Sequence, residues 1–383
     1  MFIEPREEEC CGCGACVQKC PNKALRMEEN KEGFLYPIFN SNLCIDCNLC
    51  NKICSYRNGN ELKHNIIEAY VAQHKDAIIR KNSTSGGIFS AISNYILANN
   101  GVVYGAAFDD NMNVIHTRAE NVQERDLMRG SKYVQSRIDS CYLKIKHDLD
   151  QCKLVLFVGT PCQVAAINKF FLNHRNYEKL ITCDIICFGT PSPSVFQQHI
   201  RFLEMRFGKI KEYQCRPTKY GFKWGCDNDM AILENGTELK ENGWLNIYRR
   251  LFYANIDKRM SCYSCIYTIP NRPGDFTIGD CSKASILVKN WNLYDGVSTF
   301  LVNTNKGERV FSQIKNSINY MKVDFRDIDQ PPLHKPCGKA LRRKEFFDVF
   351  EKKGYVAAIH KIYGRCFVLK YWIRHNLLRR KEL

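Results

Sequence analysis

Residues 10–21 read CCGCGACVQKCP and residues 44–54 read CIDCNLCNKIC. Both stretches place cysteine in the spacing C-x2-C-x2-C-x3-C, with Cys10, Cys13, Cys16 and Cys20 in the first and Cys44, Cys47, Cys50 and Cys54 in the second. Three thiolates so spaced wrap one 4Fe-4S cubane through a tight loop, and the fourth reaches the other cluster of a pair. The expected ligand sets are therefore crossed: Cys10, Cys13 and Cys16 with Cys54, and Cys44, Cys47 and Cys50 with Cys20. Gly12 and Gly14 suit a backbone that must pass close to the cluster sulfides. Pro21 follows the first motif where Ser55 follows the second, and Cys11 is left over. A zinc site is the competing reading, but zinc motifs do not use two four-cysteine runs of this density.

Working outward, residues 1–60 are predicted to form a small bacterial-ferredoxin-like domain, bounded by the polar stretch 58–63. The chain of 383 residues is 45% hydrophobic, enough for a buried core and two or three domains. Its acidic start offers neither the basic nor the apolar region of a secretory signal. The longest apolar run, residues 154–159, has the length of a strand, far short of the ~20 residues that span a membrane. Twenty-one cysteines spaced as metal ligands in a long chain imply a reducing cytoplasm rather than a disulfide scaffold. The net charge is +16, and residues 338–383 carry thirteen Lys/Arg against four Asp/Glu, so much of the surplus belongs to the tail.

Beyond residue 60 the hydrophobic period alternates. Residues 86–99 read as a helix with Ile88, Phe89, Ile92, Tyr95 and Ile96 on one stripe, and 102–108 as a strand. Residues 152–158, 159–161 and 162–171 read as strand, loop and helix, and 180–187, 189–193 and 194–207 repeat the arrangement. Asn235-Gly236 between two short apolar runs reads as a hairpin turn. The expected class is α+β: the small N-terminal domain, a mixed α/β domain over 61–335 with some parallel pairing, which the resemblance given next makes flavin-binding, and a basic helical tail over 336–383.

Four further strings stand in order: Ser83-Thr84-Ser85-Gly86-Gly87; Arg129-Gly130-Ser131-Lys132-Tyr133-Val134-Gln135-Ser136; Gly159-Thr160-Pro161-Cys162-Gln163; and Cys262-Tyr263-Ser264-Cys265 before Asn271-Arg272. Together they resemble the beta subunit of the coenzyme F-420 hydrogenase/dehydrogenase family, here behind a two-cluster domain, over roughly residues 5 to 305. The resemblance implies an oxidoreductase that binds FAD beside a 4Fe-4S cluster and passes electrons between iron-sulfur centres and a hydride acceptor. That acceptor is deazaflavin-like, or a sugar- or lipid-linked substrate of cell-surface polysaccharide chemistry. Ferredoxin or another electron-transfer protein is the expected partner. The chain departs from the family at Phe188, where histidine is common, and at Asp280-Cys281-Ser282-Lys283, where Asp-Phe-Trp-Gly is expected.

On this reading Ser83, Thr84, Ser85, Gly86 and Gly87 open a helix whose amides cradle the FAD pyrophosphate. Ser131, Lys132 and Tyr133 supply charge to a phosphate or ring edge and an aromatic face. A third 4Fe-4S cluster is expected on Cys162, Cys187, Cys262 and Cys265, with Cys281 as the substitute; the other reading is zinc or nothing at the Cys262-x2-Cys265 pair. Cys141, Cys152, Cys183 and Cys366 are expected to be buried as small hydrophobes, and no histidine is assigned a catalytic role. The tail reads equally as a basic amphipathic helix on the inner face of an anionic membrane or as a helix packed on the body. No reader motif accompanies the charge, so nucleic acid is not an expected partner. Two other functions compete with the enzyme: a non-catalytic electron-relay subunit of a larger complex, and a basic interaction protein with structural clusters.

Overall fold

The computed structural model describes residues 2–58, 62–138, 140–217, 229–240 and 242–367. The N-terminal lobe is built on the cysteine repeat itself. Gly12 and Asp46 hold equivalent places in the two motifs, as do Gly14 and Asn48, and all four have positive φ, from 52° to 72°. Glycine adopts that backbone freely, and Asn and Asp are the side chains that tolerate it best. After each such turn a short helix begins, Ala15–Lys19 in the first motif and Leu49–Lys52 in the second. Strands β1 (Leu25–Glu29) and β2 (Leu35–Phe39) pair antiparallel between the motifs.

The body is one eight-stranded sheet. Its strands are β3 (Glu68–His74), β4 (Val102–Phe108), β5 (Val114–Ala119), β6 (Val155–Gly159), β7 (Leu180–Ile185), β11 (Phe276–Asp280), β12 (Ser298–Val302) and β13 (Ile318–Lys322), in the order β13-β3-β12-β11-β7-β6-β4-β5. Neighbours β4, β6, β7 and β11 run parallel. β12 is antiparallel to both β11 and β3, so β3 also points their way. Parallel strands are covered on both faces and read as unbroken apolar runs, as residues 155–159 do. A separate three-stranded sheet holds β8 (Ile210–Cys215), β9 (Asp229–Leu233) and β10 (Glu238–Leu239), with Asn235-Gly236 at the β9–β10 turn.

Among the described residues seven helices reach ten residues or more: α1 (Ile88–Ala98), α2 (Cys141–Asp150), α3 (Pro161–Phe171), α4 (Pro193–Phe207), α5 (Gly243–Tyr253), α6 (Asn305–Ile314) and α7 (Arg343–Tyr363), the last broken at Gly354. α1 and α6 share a buried apolar cluster with one face of the large sheet, and α2 and α3 share one with the other. Ala15 and Ile53 of the N-terminal lobe belong to that second cluster, so the lobe docks through its own core. α4, α5 and α7 pack with the small sheet.

Two expectations on the chain change. The strand foreseen from residue 152 begins at Val155, because Cys152 turns through φ 56° and is exposed. Cys366 is exposed as well, whereas Cys141 and Cys183 are buried. The described part of the tail is a core helix, with Phe346, Phe347, Phe350, Tyr355 and Ile359 buried. Residues 368–383, which carry the rest of the tail's aromatic and basic pattern, lie outside the described residues. Among the described residues no helix is long and apolar enough to cross a membrane.

Candidate functional site

The eight N-terminal cysteines separate into two groups around two cavities. One, of about 500 Å³, is lined by Cys10, Cys13, Cys16 and Cys54, with Cys11 and Cys50 also in its wall beside Met27, Pro37 and Tyr56. The other, of about 370 Å³, is lined by Cys20, Cys44, Cys47 and Cys50, with Pro21 and Ile45. Cys54 thus faces the first motif's cysteines and Cys20 the second's, while Cys50 lines both cavities. Burial pushes the Cys16 thiol well up, and the nearby charges of Cys13, Cys10 and Cys54 add to the shift. Cys50 is likewise raised by burial, with Cys20 and Cys47 adding. Thiolates crowded in this way repel one another unless a cation lies between them, and the iron of a cubane supplies it. Main-chain amides already aim at the sulfurs: Ala24 N–H donates to Cys20 Sγ at 3.2 Å, and Asp46 N–H to Cys44 Sγ at 3.4 Å.

A third gathering of thiols lies at the C-terminal edge of the parallel strands. Cys162 stands in the first turn of α3 after β6, Cys187 two residues past β7, and Cys262 and Cys265 in and just after the 3-10 turn Met260–Ser264. Burial raises the Cys187 thiol to about 12, with the charges of Cys262 and Cys162 adding, and Cys265 is raised by burial and then by Cys162, Cys262 and Cys187. All four expected residues are thus brought together. Gly189 N–H reaches Cys187 Sγ and Thr190 N–H reaches Cys262 Sγ, both at 3.4 Å. Cys281 follows β11 at the same edge but packs with Val288, Val297 and Leu301, and the charges that act on it are those of Asp280 and Lys283 rather than of the four thiols. Among the described residues no three His, Cys, Asp or Glu side chains are placed to share one metal ion. A cubane asks something else of its ligands, one thiolate per iron.

Three residues here carry no signal in the spacing. Cys11, buried between the sets, shares its S–H with the sulfurs of Cys13 and Cys162, which holds its own thiol well above the ordinary value and lowers theirs. Cys337 lies against Cys262, its Sγ 3.5 Å from that residue's carbonyl oxygen. Arg259, 1% exposed, donates from Nε to the Cys10 carbonyl oxygen (2.6 Å), from Nη2 to that of Leu35 (2.9 Å) and from Nη1 to Gln135 Oε1 (3.2 Å). Only the fold brings residues 11, 259 and 337 to one place.

The glycine loop and the Ser131 segment also meet, since Ser131 N–H donates to Thr84 Oγ1 at 2.9 Å. Gly87, at φ 82°, precedes α1, whose first turn has no side-chain cap. Gly86 serves packing, because a Cβ there would lie 2.5 Å from the Ala72 carbonyl oxygen and 2.8 Å from the Ser298 nitrogen. Ser85 Oγ donates to the Val297 carbonyl oxygen and Ser83 Oγ to that of Ile79. Lys132 turns back to the carbonyl oxygens of Leu127 (3.1 Å) and Arg129 (2.7 Å), and burial lowers its ammonium to about 7. The Tyr133 ring is covered by the Arg249 guanidinium, 3.5 Å from its centre. Neither side chain stands free as expected. Instead the charge near α1 comes from Arg80, Arg125 and Arg129, which together with burial depress His74. Among the described residues Arg80 Nε, Arg129 Nε and Ser90 Oγ are buried there without a partner, while Nη2 of Arg80 pairs with Asp295 and Nη2 of Arg129 with Asp126. Such a setting suits an anionic group such as a diphosphate.

Residues 9–58 match the family model for the 4Fe-4S dicluster domain, and residues 152–327 match the model for the C terminus of the beta subunit of coenzyme F420 hydrogenase/dehydrogenase. No curated protein matches the chain. Among solved structures, a chain from the xenon-derivatized F420-reducing [NiFe] hydrogenase complex of Methanosarcina barkeri is 17% identical, with a TM-score of 0.49, covering 78% of this chain and 92% of its own. The chain thus carries the pattern of a 4Fe-4S dicluster domain over residues 9–58, followed over residues 152–327 by that of the C terminus of the coenzyme F420 hydrogenase/dehydrogenase beta subunit.

Proposed function

We propose that the chain is a flavin-dependent iron-sulfur oxidoreductase that passes electrons between 4Fe-4S clusters and FAD and on to an organic hydride acceptor. The carrying observation is the placement of Cys11, whose thiol lies against Cys13 of one set and Cys162 of the next. Three cysteine sets then form a series from the surface inward. Cys47 of the outer set is exposed, as are its neighbours Leu43 and Ile45, and there a donor such as ferredoxin reaches the chain. Cys162, Cys187, Cys262 and Cys265 of the inner set are ligands of a third cluster, deep in the cleft at the strand ends where α/β folds bind their ligands. Zinc at Cys262 and Cys265 alone would leave two crowded thiols without a cation.

FAD supplies the one chemistry the clusters lack, exchanging single electrons on one side and a hydride on the other. Thr84, the amides opening α1, and the buried guanidinium groups of Arg80 and Arg129 hold its diphosphate. Their role is to bind and orient a dianion. The acceptor is a deazaflavin-like or cell-surface-polysaccharide-related molecule.

The test is the full chain purified without oxygen, with Cys262→Ser beside it. The wild type should carry flavin absorbance and about twelve irons, and the variant about four fewer, with slower flavin reduction. Equal iron content in the two proteins would remove the third cluster, and a wild type that binds no added FAD would remove the flavin. Turnover of an acceptor by the isolated chain separates an enzyme from a relay subunit.

A further inference from the structure

Arg259 is a buried cation with no carboxylate at ion-pair distance among the described residues. The three oxygens it donates to are neutral, and its central carbon lies 4.1 Å from the centre of the Tyr36 ring. Hydrogen bonds and an aromatic face satisfy a guanidinium's donors but leave its charge desolvated, which is expensive unless a negative charge lies close. The groups whose charges act on it most are Cys10, Tyr36, Cys11 and Cys262, and its own charge lowers the thiols of Cys13 and Cys162 as well. Cys10 belongs to the middle set and Cys262 to the inner set. No cysteine of the outer set is among them.

The seat is also kept clear. Gly12 has φ 70°, and a Cβ on it would lie 2.8 Å from Arg259 Nη1 and 3.1 Å from the Leu35 carbonyl oxygen. A side chain at position 12 would therefore push the guanidinium out from between the two sets. The backbone of the cysteine loop is shaped around this arginine as well as around its own cluster.

A 4Fe-4S cubane with four thiolates is anionic, and it becomes more so when reduced. A fixed positive charge beside it favours the reduced form, and burial strengthens the effect because little water screens it. We propose that Arg259 is a positioning residue for electron transfer, holding the potentials of the middle and inner clusters above that of the outer one. Electrons are thereby drawn inward. The step it serves is a one-electron exchange: the outer cluster, ligated by Cys44, goes from its reduced to its oxidised state as the middle cluster, ligated by Cys10, goes from oxidised to reduced, and the inner cluster, ligated by Cys262, is held ready to take the electron on. No bond or proton moves. This inference rests on the third-cluster reading above for its inner half only.

The experiment is an EPR-monitored redox titration of the full-length protein, purified anaerobically, as wild type, Arg259→Met and Arg259→Lys, with iron counted in each. In Arg259→Met the midpoint potentials of the middle and inner clusters should fall by at least tenfold in the one-electron equilibrium, about 59 mV. The outer cluster should not move, and Arg259→Lys, which keeps the charge, should hold both inner potentials near wild type. Unchanged potentials in a fully loaded Arg259→Met, or an equal fall at all three clusters, would overturn the proposal. Where Arg259→Met does not retain its iron, Arg259→Lys decides alone: potentials kept support the charge, while potentials shifted or iron lost point to a purely structural arginine. A wild type with about eight irons and no third signal counts against the third cluster instead, and the middle cluster then carries the same test.

Discussion

The guanidinium of Arg343 in α7 grips the carboxylate of Glu32 through both terminal nitrogens, one contact measuring 2.6 Å. Glu32 sits between β1 and β2, so the pair ties the C-terminal helix to the cluster-bearing lobe. Arg343 is 4% exposed and also donates to the Lys258 carbonyl oxygen at 3.0 Å, next to Arg259.

Removing one partner of a largely buried pair strands the other. Arg343→Ala should therefore cost about 3 kcal/mol. Anaerobic denaturant unfolding of Arg343→Ala, Glu32→Gln and the double variant measures the coupling, and simple additivity would mean that the contact contributes nothing.

The crossed ligand sets make a prediction that uncrossed ones do not. Cys20→Ala and Cys47→Ala should damage the same cluster, so the double variant should lose no more iron than either single one, about four atoms. Cys20→Ala with Cys13→Ala should lose about eight. The opposite pattern in iron analysis would assign Cys20 to the set of Cys10.

Much of this was legible in the sequence because the chemistry was local. Eight ligands lie within 45 residues, and their spacing alone implies which fourth cysteine crosses over. The convergence of Cys162 and Cys187 followed from their places after strands, since parallel strands align their ends. What escaped was contact between distant segments. Cys11 and Arg259 are 248 positions apart and meet because the lobe docks on α2 and α3. The surroundings of Lys132 and Tyr133 escaped for a related reason: a polar string in a loop shows its composition but not that Leu127, Arg129 and Arg249 lie against it. Cys152 and Cys366 were expected inside as small hydrophobes, yet a turn and a helix end placed them at the surface.

The glycine loop needs a gentler probe than bulk. A side chain at Gly86 would meet the backbone of β3 and β12, so Gly86→Val should unfold the edge of the sheet whether or not flavin binds there. Arg129→Met removes a guanidinium that, among the described residues, has no partner at Nε and meets one carboxylate, Asp126. A charge-assisted hydrogen bond is worth about 1.5–3 kcal/mol. FAD affinity should then weaken at least tenfold, by equilibrium titration of flavin fluorescence, with iron content unchanged. Undiminished affinity would place the flavin elsewhere.

Asp257 is fully buried, and neither of its carboxyl oxygens has a hydrogen-bond partner. Burial raises it to about 7, against the opposing charges of Lys258, Arg343 and Arg249. In the unfolded chain an aspartate titrates near ~3.9. Between those values the folded protein holds a proton that the unfolded chain has released. Stability from this group is therefore full below ~4 and falls as pH rises toward about 7, by roughly 1.4 kcal/mol per pH unit, then levels off. Asp257→Asn keeps the shape and removes the titration. Across pH 5.5 to 7 the variant should gain steadily on the wild type in anaerobic thermal unfolding, and above about 7.5 the gap should stay constant. A gap that does not change over that range would mean that Asp257 is ionised in the folded state, held so by the cations around it.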